Sequence, residues 1–267
     1  MNRPLKGPVA VLLLALTAGV LAFGLAPLAV TVAVSFSTSP FVTFPPHGFT
    51  LRWYGEVLRD SEFLGSLAFS TELAMAATAG ALLLGVPAAF AVVRGEFPGR
   101  EAAAALLLSP LIFPVLITGV ALLQLFSMLR SDDAWFNLLV AHVLVTIPYV
   151  VRTVTASLML ADRTLEEAAR TLGAARWRVI RRITVPQIAP GLAAGALFAF
   201  MVSFDNFPIS MWLADAQHNP VPLLIFQRVA NVFEPSLAAI STLLILFAAA
   251  IVLVVERVSG LRRGLAM

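Results

Sequence analysis

The chain has 267 residues, of which 60% are hydrophobic and 12% are charged, whereas roughly a quarter of the residues in a soluble domain carry a charge. Its formal net charge is +3, and we attribute the excess of arginine to orientation in a membrane rather than to a nucleic-acid partner. The chain contains no cysteine, which excludes disulfides and thiolate metal sites, and its three histidines lack the spacing of a metal site, so no metal is expected.

Six apolar runs are long enough to cross a bilayer, which takes roughly 20 residues of helix. In chain order the predicted spans are about Val9–Phe36, Phe63–Val93, Ala102–Leu129, Trp135–Leu158, Ile188–Leu213 and Leu237–Val255. Backbone groups in lipid must satisfy their own hydrogen bonds, so these runs are predicted to be helices rather than barrel strands. The expected fold class is all-α: a polytopic membrane protein with six transmembrane helices, in a single domain over residues 1–267. The first run is too long for the apolar part of a signal peptide and is predicted to remain as the first span.

Lysine and arginine are distributed unequally between the two sides of the predicted bundle. Only Arg52, Arg59, Arg130 and Arg228 fall in the outer loops. The other 14 of the 18 basic residues lie near the termini or in the remaining loops: Arg3, Lys6, Arg94, Arg100, Arg152, Arg163, Arg170, Arg176, Arg178, Arg181, Arg182, Arg257, Arg262 and Arg263. Because short loops rich in basic residues stay in the cytoplasm, both termini and the loop after the fourth span are expected to be cytoplasmic.

That cytoplasmic loop, about residues 162–187, is the longest charged segment of the chain. Thr164 followed by Glu167 fits a capping box and predicts a helix that begins at Leu165. One small apolar face recurs at helical spacing: Leu165, Ala168, Ala169 and Leu172. Gly173 predicts a turn directly after this helix, because glycine takes a positive φ without a steric penalty.

A second short amphipathic helix is predicted after the turn, with Trp177 and Ile180 on one face and arginines around them. Pro186 and Pro190 then mark the entry into the fifth span. From these residues alone, two interpretations stay open: a hairpin held on anionic lipid, and a structured basic site on which another protein docks.

The order of residues in this loop resembles the EAA motif of bacterial ABC importer permeases. That motif reads Glu-Ala-Ala, three residues, Gly, nine residues, Ile, any residue, Leu, Pro. The chain matches it at Glu167, Ala168, Ala169, Gly173, Ile183 and Pro186. Val185 stands where the motif has Leu, which is a small aliphatic change.

Three further stretches are similar to the spermidine/putrescine branch of these permeases, and within it to the subunit usually called C. They are Phe49–Tyr54 before the second span, Ser203–Asp205 in the fifth span, and Leu237–Thr242 at the start of the sixth. These stretches are less specific than the EAA match, and together with it they extend the resemblance over nearly the whole chain.

The resemblance implies a subunit of a type I importer, in which two permeases form the channel. An ABC ATPase dimer, which carries ATP-Mg, is expected below them, and an extracytoplasmic binding protein is expected to deliver the substrate. In that family the EAA helix is the coupling helix that inserts into the ATPase. This chain has no GxxxxGK[ST] sequence, so ATP hydrolysis is expected on the separate subunit, and the chain itself is not expected to be an enzyme or to hold a cofactor. The implied location is the bacterial inner membrane, in contact with lipid.

Polar side chains within the predicted spans are candidates for a substrate pathway, since such groups in a bilayer are costly and are usually paired or functional. The candidates are Asp205, Glu72, Asn206, His142 and Gln124, which fall at similar depth in the outer half of the bundle. Two carboxylates without a lysine or arginine at that depth favour a cation, and the resemblance suggests a polyamine. Each residue also has a structural alternative. Asp205 is then a helix-bundle contact, Glu72 a partner of His142 or an interfacial group, and His142 and Gln124 packed residues.

Several functional alternatives remain open at this point. A sister ABC importer for another small solute, including an organic anion, shares much of this architecture. A secondary transporter driven by ions would show two similar halves with broken helices, and the chain has no convincing internal repeat. A membrane scaffold or channel is the third alternative. The small residues of the second and fifth spans indicate close helix packing, either within this subunit or against a second permease.

Overall fold

The computed structural model describes residues 7–231 and 234–259 of the chain, and every regular element within these ranges is helical. The helices are α1 (Pro8–Val34), α2 (Arg52–Val57), α3 (Ser61–Arg94), α4 (Arg100–Leu108), α5 (Val115–Met128), α6 (Ala134–Leu160), α7 (Arg163–Thr171), α8 (Arg176–Val179), α9 (Val185–Phe204), α10 (Phe207–Leu213), α11 (Val221–Asn231) and α12 (Pro235–Ser259). A 3₁₀ turn (Ser109–Leu111) follows α4, and a π-helical turn (Ile180–Thr184) joins α8 to α9.

Five of the described helices are long and apolar enough to cross a membrane by themselves, and a bent pair makes a sixth span if it is counted as one. The five are α1, α3, α6, α12 and the continuous helix Arg176–Phe204, which contains α9. The six predicted spans therefore correspond to six helical regions of the structure. The all-α membrane fold is confirmed.

The third predicted span, Ala102–Leu129, is not one straight helix. It is broken between Arg100–Leu111 and Val115–Met128, which meet at an angle of 102°. Proline explains the break, because it has no N–H and its ring clashes with the preceding turn. Pro110 lies in the 3₁₀ turn, and Pro114 caps α5 with a ψ of 124°, which is outside the helical range.

The fifth predicted span, Ile188–Leu213, is wrong at both ends. The helix begins earlier, at Arg176, and it ends at Phe204, after which α10 starts separately at Phe207. Asn206 makes this break, because its side-chain oxygen accepts a hydrogen bond from the Ile209 N–H at 3.2 Å and so caps α10. Pro208 follows in the first turn of α10, where its missing N–H costs nothing.

The described residues group into two compact units. The first takes in the chain up to Asp60 together with Gln227–Phe247. Within it, the Trp53 indole N–H donates to the Ser37 carbonyl oxygen at 2.8 Å, and Arg228 pairs with Asp60 at 2.7 Å. None of the residues in the most apolar window of α1 is buried, so this helix presents its surface to lipid or to another subunit.

The second unit takes in Ser61–Phe226 and the chain from Ala248 onward, and its core is a packed trio of α3, α6 and α9. One apolar cluster joins the three helices: Ala81, Ala89, Val150, Val154, Leu158, Ile188 and Ala199. Glycines let the backbones approach closely, as is usual in membrane bundles. A Cβ on Gly195 would lie 3.2 Å from the Val150 Cα, and one on Gly85 would lie 3.0 Å from a Val150 methyl group. These small residues of the second and fifth spans therefore pack within the subunit.

Gly191→Ala is expected to lower stability by about 1–3 kcal/mol, as inserted methyl groups do in well-packed interiors. A Cβ at this position would overlap the Ser157 side chain and lie 2.9 Å from the Thr153 carbonyl oxygen, which belongs to the backbone of α6. The matched control is Gly65→Ala in α3, where a Cβ meets nothing within 4 Å. Thermal unfolding in detergent should show a lower midpoint for the first variant only. Equal midpoints would contradict the close approach of α9 to α6.

Candidate functional site

The segment between α6 and α9 begins at Asp162, which caps α7. Its carboxylate accepts hydrogen bonds from the Thr164 N–H at 2.8 Å and from the Thr164 hydroxyl at 2.7 Å. These bonds, the hydroxyl's first, lower the pKa of the Asp162 carboxyl below its usual value. The predicted capping box of Thr164 and Glu167 is therefore wrong, and α7 begins at Arg163 rather than Leu165. Aspartate caps a helix at least as well as threonine. Because Asp162 lies two residues before Thr164, the helix begins two residues earlier than predicted.

Three of the four residues of the predicted apolar face of α7 are exposed, and Ala169 is half-buried. Leu165 is 52% exposed and Leu172 is 88% exposed, and Ala168 between them is exposed too. The residue of α7 that is buried is Glu166, at 7% exposure. Exposed apolar side chains grouped on a short polar helix indicate a surface that another molecule covers.

The predicted turn at Gly173 is confirmed, and it has the geometry of a Schellman motif. Gly173 has a φ of +83°, its N–H donates to the Arg170 carbonyl oxygen at 2.9 Å, and the Ala174 N–H donates to the Ala169 carbonyl oxygen at 3.0 Å. A Cβ on Gly173 would meet nothing within 4 Å, so glycine is required here by the backbone angle and not by crowding.

The second helix of the predicted hairpin is short and does not stand alone. α8 spans Arg176–Val179, and the π-helical turn carries the chain directly into α9. Trp177 is 70% exposed, Ile180 is half-buried, and the buried residue of α8 is Val179. Pro186 lies in the first turn of α9 and has no N–H to donate, which is compatible with an altered turn just before it. Among the matched motif positions, Ile183 is half-buried and Pro186 is exposed.

Glu166 is the residue that the sequence did not single out. Its Oε1 atom lies 3.2 Å from Arg94 Nη2 and accepts a hydrogen bond from the Thr184 hydroxyl at 3.0 Å. The sequence does indicate that Glu166 faces away from the apolar face of α7. Successive residues of a helix are rotated by 100°, which places Glu166 on the same side of α7 as Arg170. The side chains meet in a cleft of about 370 Å³ lined by Phe90, Arg94, Arg163, Glu166, Glu167, Arg170, Arg176, Ile180 and Thr184.

The five candidate pathway residues divide into two groups. His142 is 1% exposed and its Nδ1 shares a hydrogen bond of 2.8 Å with the Ser203 hydroxyl, while Asn206 is 5% exposed and caps α10. Glu72, Gln124 and Asp205 are all exposed on the surface of the subunit.

The five residues differ in exposure, but all of them are close in sequence to members of one apolar cluster. Each lies within four positions of a member of one apolar cluster built from α3, α5, α6 and α10. Its members are Leu73, Leu122, Phe126, Leu138, Ala141, Val145, Ile209 and Leu213. Among the described residues, no group of three or more His, Cys, Asp and Glu side chains is arranged to hold a metal ion.

The exposed carboxylate of Glu72 belongs to α3, one of the helices that are long and apolar enough to cross a membrane. At about 1.5 Å per residue it is about 16 Å from the start of α3, a helix about 51 Å long, while the hydrocarbon core is about 30 Å thick. A carboxylate facing lipid at that depth is costly, and charged residues in spans normally face a protein interior or a water-filled cavity. The exposure of Glu72 on such a helix therefore makes it a candidate for a protein interface or a water-filled cavity.

Comparison with known proteins gives consistent findings. A family model described as "Binding-protein-dependent transport system inner membrane component" matches residues 81–261. The chain is 36% identical over 227 residues to the putrescine transport system permease protein PotI of Escherichia coli (strain K12), covering 82% of this chain and 80% of the relative. It is 28% identical over 227 residues to the spermidine/putrescine transport system permease protein PotC of the same organism, covering 85% of this chain and 86% of the relative.

Among solved structures, the fold is similar to a chain in the crystal structure of a bacterial ABC transporter involved in the import of the acidic polysaccharide alginate. The TM-score is 0.70, and the match covers 96% of this chain and 99% of that chain. The sequence identity is 18%, so this likeness concerns the fold alone.

Proposed function

The chain belongs to the family of binding-protein-dependent transport system inner membrane components, and we propose that it forms half of the pathway of an ATP-driven importer and is coupled to a separate ATPase through residues 162–187. The observation that carries the coupling role is the exposed apolar face of α7, which ends in the Schellman turn at Gly173. The chain is a multi-pass transport permease rather than an enzyme. In the proposal its whole length, residues 1–267, forms one permease domain.

Each matched position of the loop has a physical role in the proposed coupling. Ala168 and Ala169 are small and allow the ATPase surface to approach the helix closely. Glu167 is exposed at the rim of the arginine-lined cleft, where it can pair with a partner's cation. Gly173 sets the direction of the chain after the helix. Ile183 and Pro186 lie at the entry to the fifth span, and we propose that they keep the loop aligned with α9.

Leu172→Asp should release the ATPase from the purified complex. Leu172 is 88% exposed at the end of the apolar face of α7, and truncation of a central apolar anchor in an interface costs at least about 2 kcal/mol, which corresponds to more than a tenfold loss of affinity. The matched control is Leu160→Asp, because Leu160 at the end of α6 is exposed to the same extent. Co-purification of the ATPase with both variants would instead favour the hairpin held on anionic lipid.

The proposed orientation places both termini and the α7 segment in the cytoplasm and the complex in a bacterial inner membrane. The distribution of lysine and arginine supports it, with 14 of 18 basic residues on that side. The ATPase dimer with its ATP-Mg then lies below the loop, and the extracytoplasmic binding protein lies on the opposite side. A second, homologous permease completes the pathway, and the exposed α1 is suited to contact it or lipid.

For the substrate we propose a polyamine such as putrescine or spermidine. Two curated relatives are permeases of putrescine and spermidine/putrescine systems. The exposed carboxylates of Glu72 in α3 and Asp205 at the end of α9 supply negative charge within the membrane part of the chain, where an ammonium group would otherwise lose its hydration. Gln124 is exposed as well. We assign Asn206 and His142 to the wall behind the pathway; the His142 Nε2 is buried without a hydrogen-bond partner among the described residues.

A further inference from the structure

Glu166 occupies an unusual environment for a charged side chain. Across the residues whose burial the structure describes, it is the single aspartate, glutamate, lysine or arginine in the buried class. Buried charges persist in proteins when they are paired and hydrogen-bonded, and Glu166 has both kinds of partner. Its neighbour Glu167, which belongs to the motif, is exposed.

One oxygen atom of Glu166 joins three separate elements. Oε1 contacts Arg94 Nη2 at 3.2 Å, and Arg94 is the last residue of α3. The same atom accepts the hydrogen bond from the Thr184 hydroxyl at 3.0 Å, and Thr184 is the last residue of the π-helical turn that leads into α9. A single carboxylate therefore ties α7 to the end of α3 and to the π-helical turn within the continuous helix Arg176–Phe204.

The two spans that Glu166 joins are also packed against each other and against α6. Apart from this link, α7 is held by the chain at its two ends, by its packing against α8 and the π-helical turn, and by the hydrogen bond that the Asp162 N–H donates to the Gln187 side-chain oxygen at 2.8 Å. Backbone at such termini absorbs changes of φ and ψ, so that a helix can move there without moving its neighbours. The Glu166 link restricts that freedom further, and it adds a direct connection between α7 and the end of α3. The adjoining π-helical turn is a further sign of function, since such turns occur frequently at functional sites.

We propose that Glu166 is a positioning residue that transmits the movement of α7 to α3 and α9, so that rearrangement of an ATPase bound below opens and closes the pathway. This inference rests on the proposed function, because it needs an ATPase that moves α7. It assigns the mechanical link to a residue outside the matched motif positions and names its two partners, Arg94 and Thr184.

The test is Glu166→Gln in the complete transporter, reconstituted with its ATPase, its second permease and its binding protein in lipid vesicles. Glutamine keeps the size of the side chain and can still accept from Thr184, but it removes the charge that attracts Arg94. We expect the ATPase to stay bound and ATP hydrolysis to continue, while labelled putrescine imported per ATP falls about tenfold, a typical size for coupling between sites. The control is Glu96→Gln, which removes an exposed carboxylate two residues beyond Arg94 and should leave the ratio unchanged.

Thr184→Val provides an independent reading if Glu166→Gln fails to assemble. This substitution removes only the hydroxyl, and it should also lower the amount of putrescine imported per ATP. In the double variant with Glu166→Gln, this ratio should be little lower than in Glu166→Gln alone. An unchanged ratio in the assembled variants, or a proportional fall of uptake and hydrolysis together, would overturn the inference and leave Glu166 with a purely structural role. If the wild-type complex itself binds no ATPase or imports without ATP, the proposed function fails instead.

Discussion

Asp205→Asn and Glu72→Gln are each expected to reduce putrescine uptake about tenfold, and the double variant more strongly. A hydrogen bond to a charged group contributes about 1.5–3 kcal/mol, and about 1.4 kcal/mol corresponds to a factor of ten. Both side chains are exposed, Glu72 on α3 and Asp205 in the break between α9 and α10, and their amide versions keep the shape while removing the charge that compensates an ammonium group for lost water. Initial rates of labelled putrescine uptake in vesicles measure the effect.

Asp132→Asn is the matched control for these two variants. Asp132 is an exposed carboxylate in the loop before α6, outside the spans, and its removal should leave uptake unchanged. Binding of the ATPase should be normal in all three variants, since Glu72 and Asp205 are placed in the pathway and not in the coupling segment. Undiminished uptake in both pathway variants would remove the case for a cation route past these residues.

Gly173→Val is expected to leave the protein in the membrane but to lower the import per ATP by about 5–30-fold, because a left-handed backbone costs a residue with a Cβ roughly 1–2 kcal/mol. Gly173 has a φ of +83°, and a β-branched residue is a strong outlier there. The strained turn should then open and change the direction in which α7 is presented. Parallel measurement of ATP hydrolysis and uptake gives the ratio.

Gly173→Asn separates the backbone effect from any effect of size. Asparagine tolerates the left-handed region, and a Cβ at this position meets nothing within 4 Å, so this variant should retain most of the coupling. If the valine and asparagine variants import equally well, the Schellman turn is not needed and the role assigned to Gly173 in coupling is wrong.

The number of spans and the turn at Gly173 could be predicted from the sequence because both depend on local properties. An apolar run of sufficient length becomes a membrane helix whatever surrounds it, and a glycine after a short helical pattern commonly ends that helix. The same reasoning placed the boundaries of α3 and α6 within about three residues of those in the structure.

The interruptions of the spans were harder to predict because they depend on which of several proline and polar residues takes effect. Pro87 and Pro148 lie inside α3 and α6 without ending them, whereas Pro114 begins a new helix at 102° to the preceding one. Asn206 is predicted from its position to be a pathway group, and the structure shows in addition that its side chain caps α10. The polarity of a residue alone does not show whether its side chain caps a helix or lines a pathway.

Glu166 was missed for a different reason. Its partner Arg94 lies 72 positions away in the chain, so their contact exists only after α7 has packed against the end of α3. The motif directed the interpretation to Glu167, the adjacent residue, and helical spacing shows only that the two glutamates face different directions. A buried ion pair between distant elements needs the tertiary structure to be recognised.

The most direct test of the account is import of labelled putrescine into vesicles that contain the purified complex, with the binding protein outside and ATP enclosed. The account predicts uptake that requires hydrolysable ATP and the binding protein, and that stops when the ATPase is removed. Uptake that proceeds without ATP and follows an imposed ion gradient would contradict it and identify the chain as part of an ion-driven transporter.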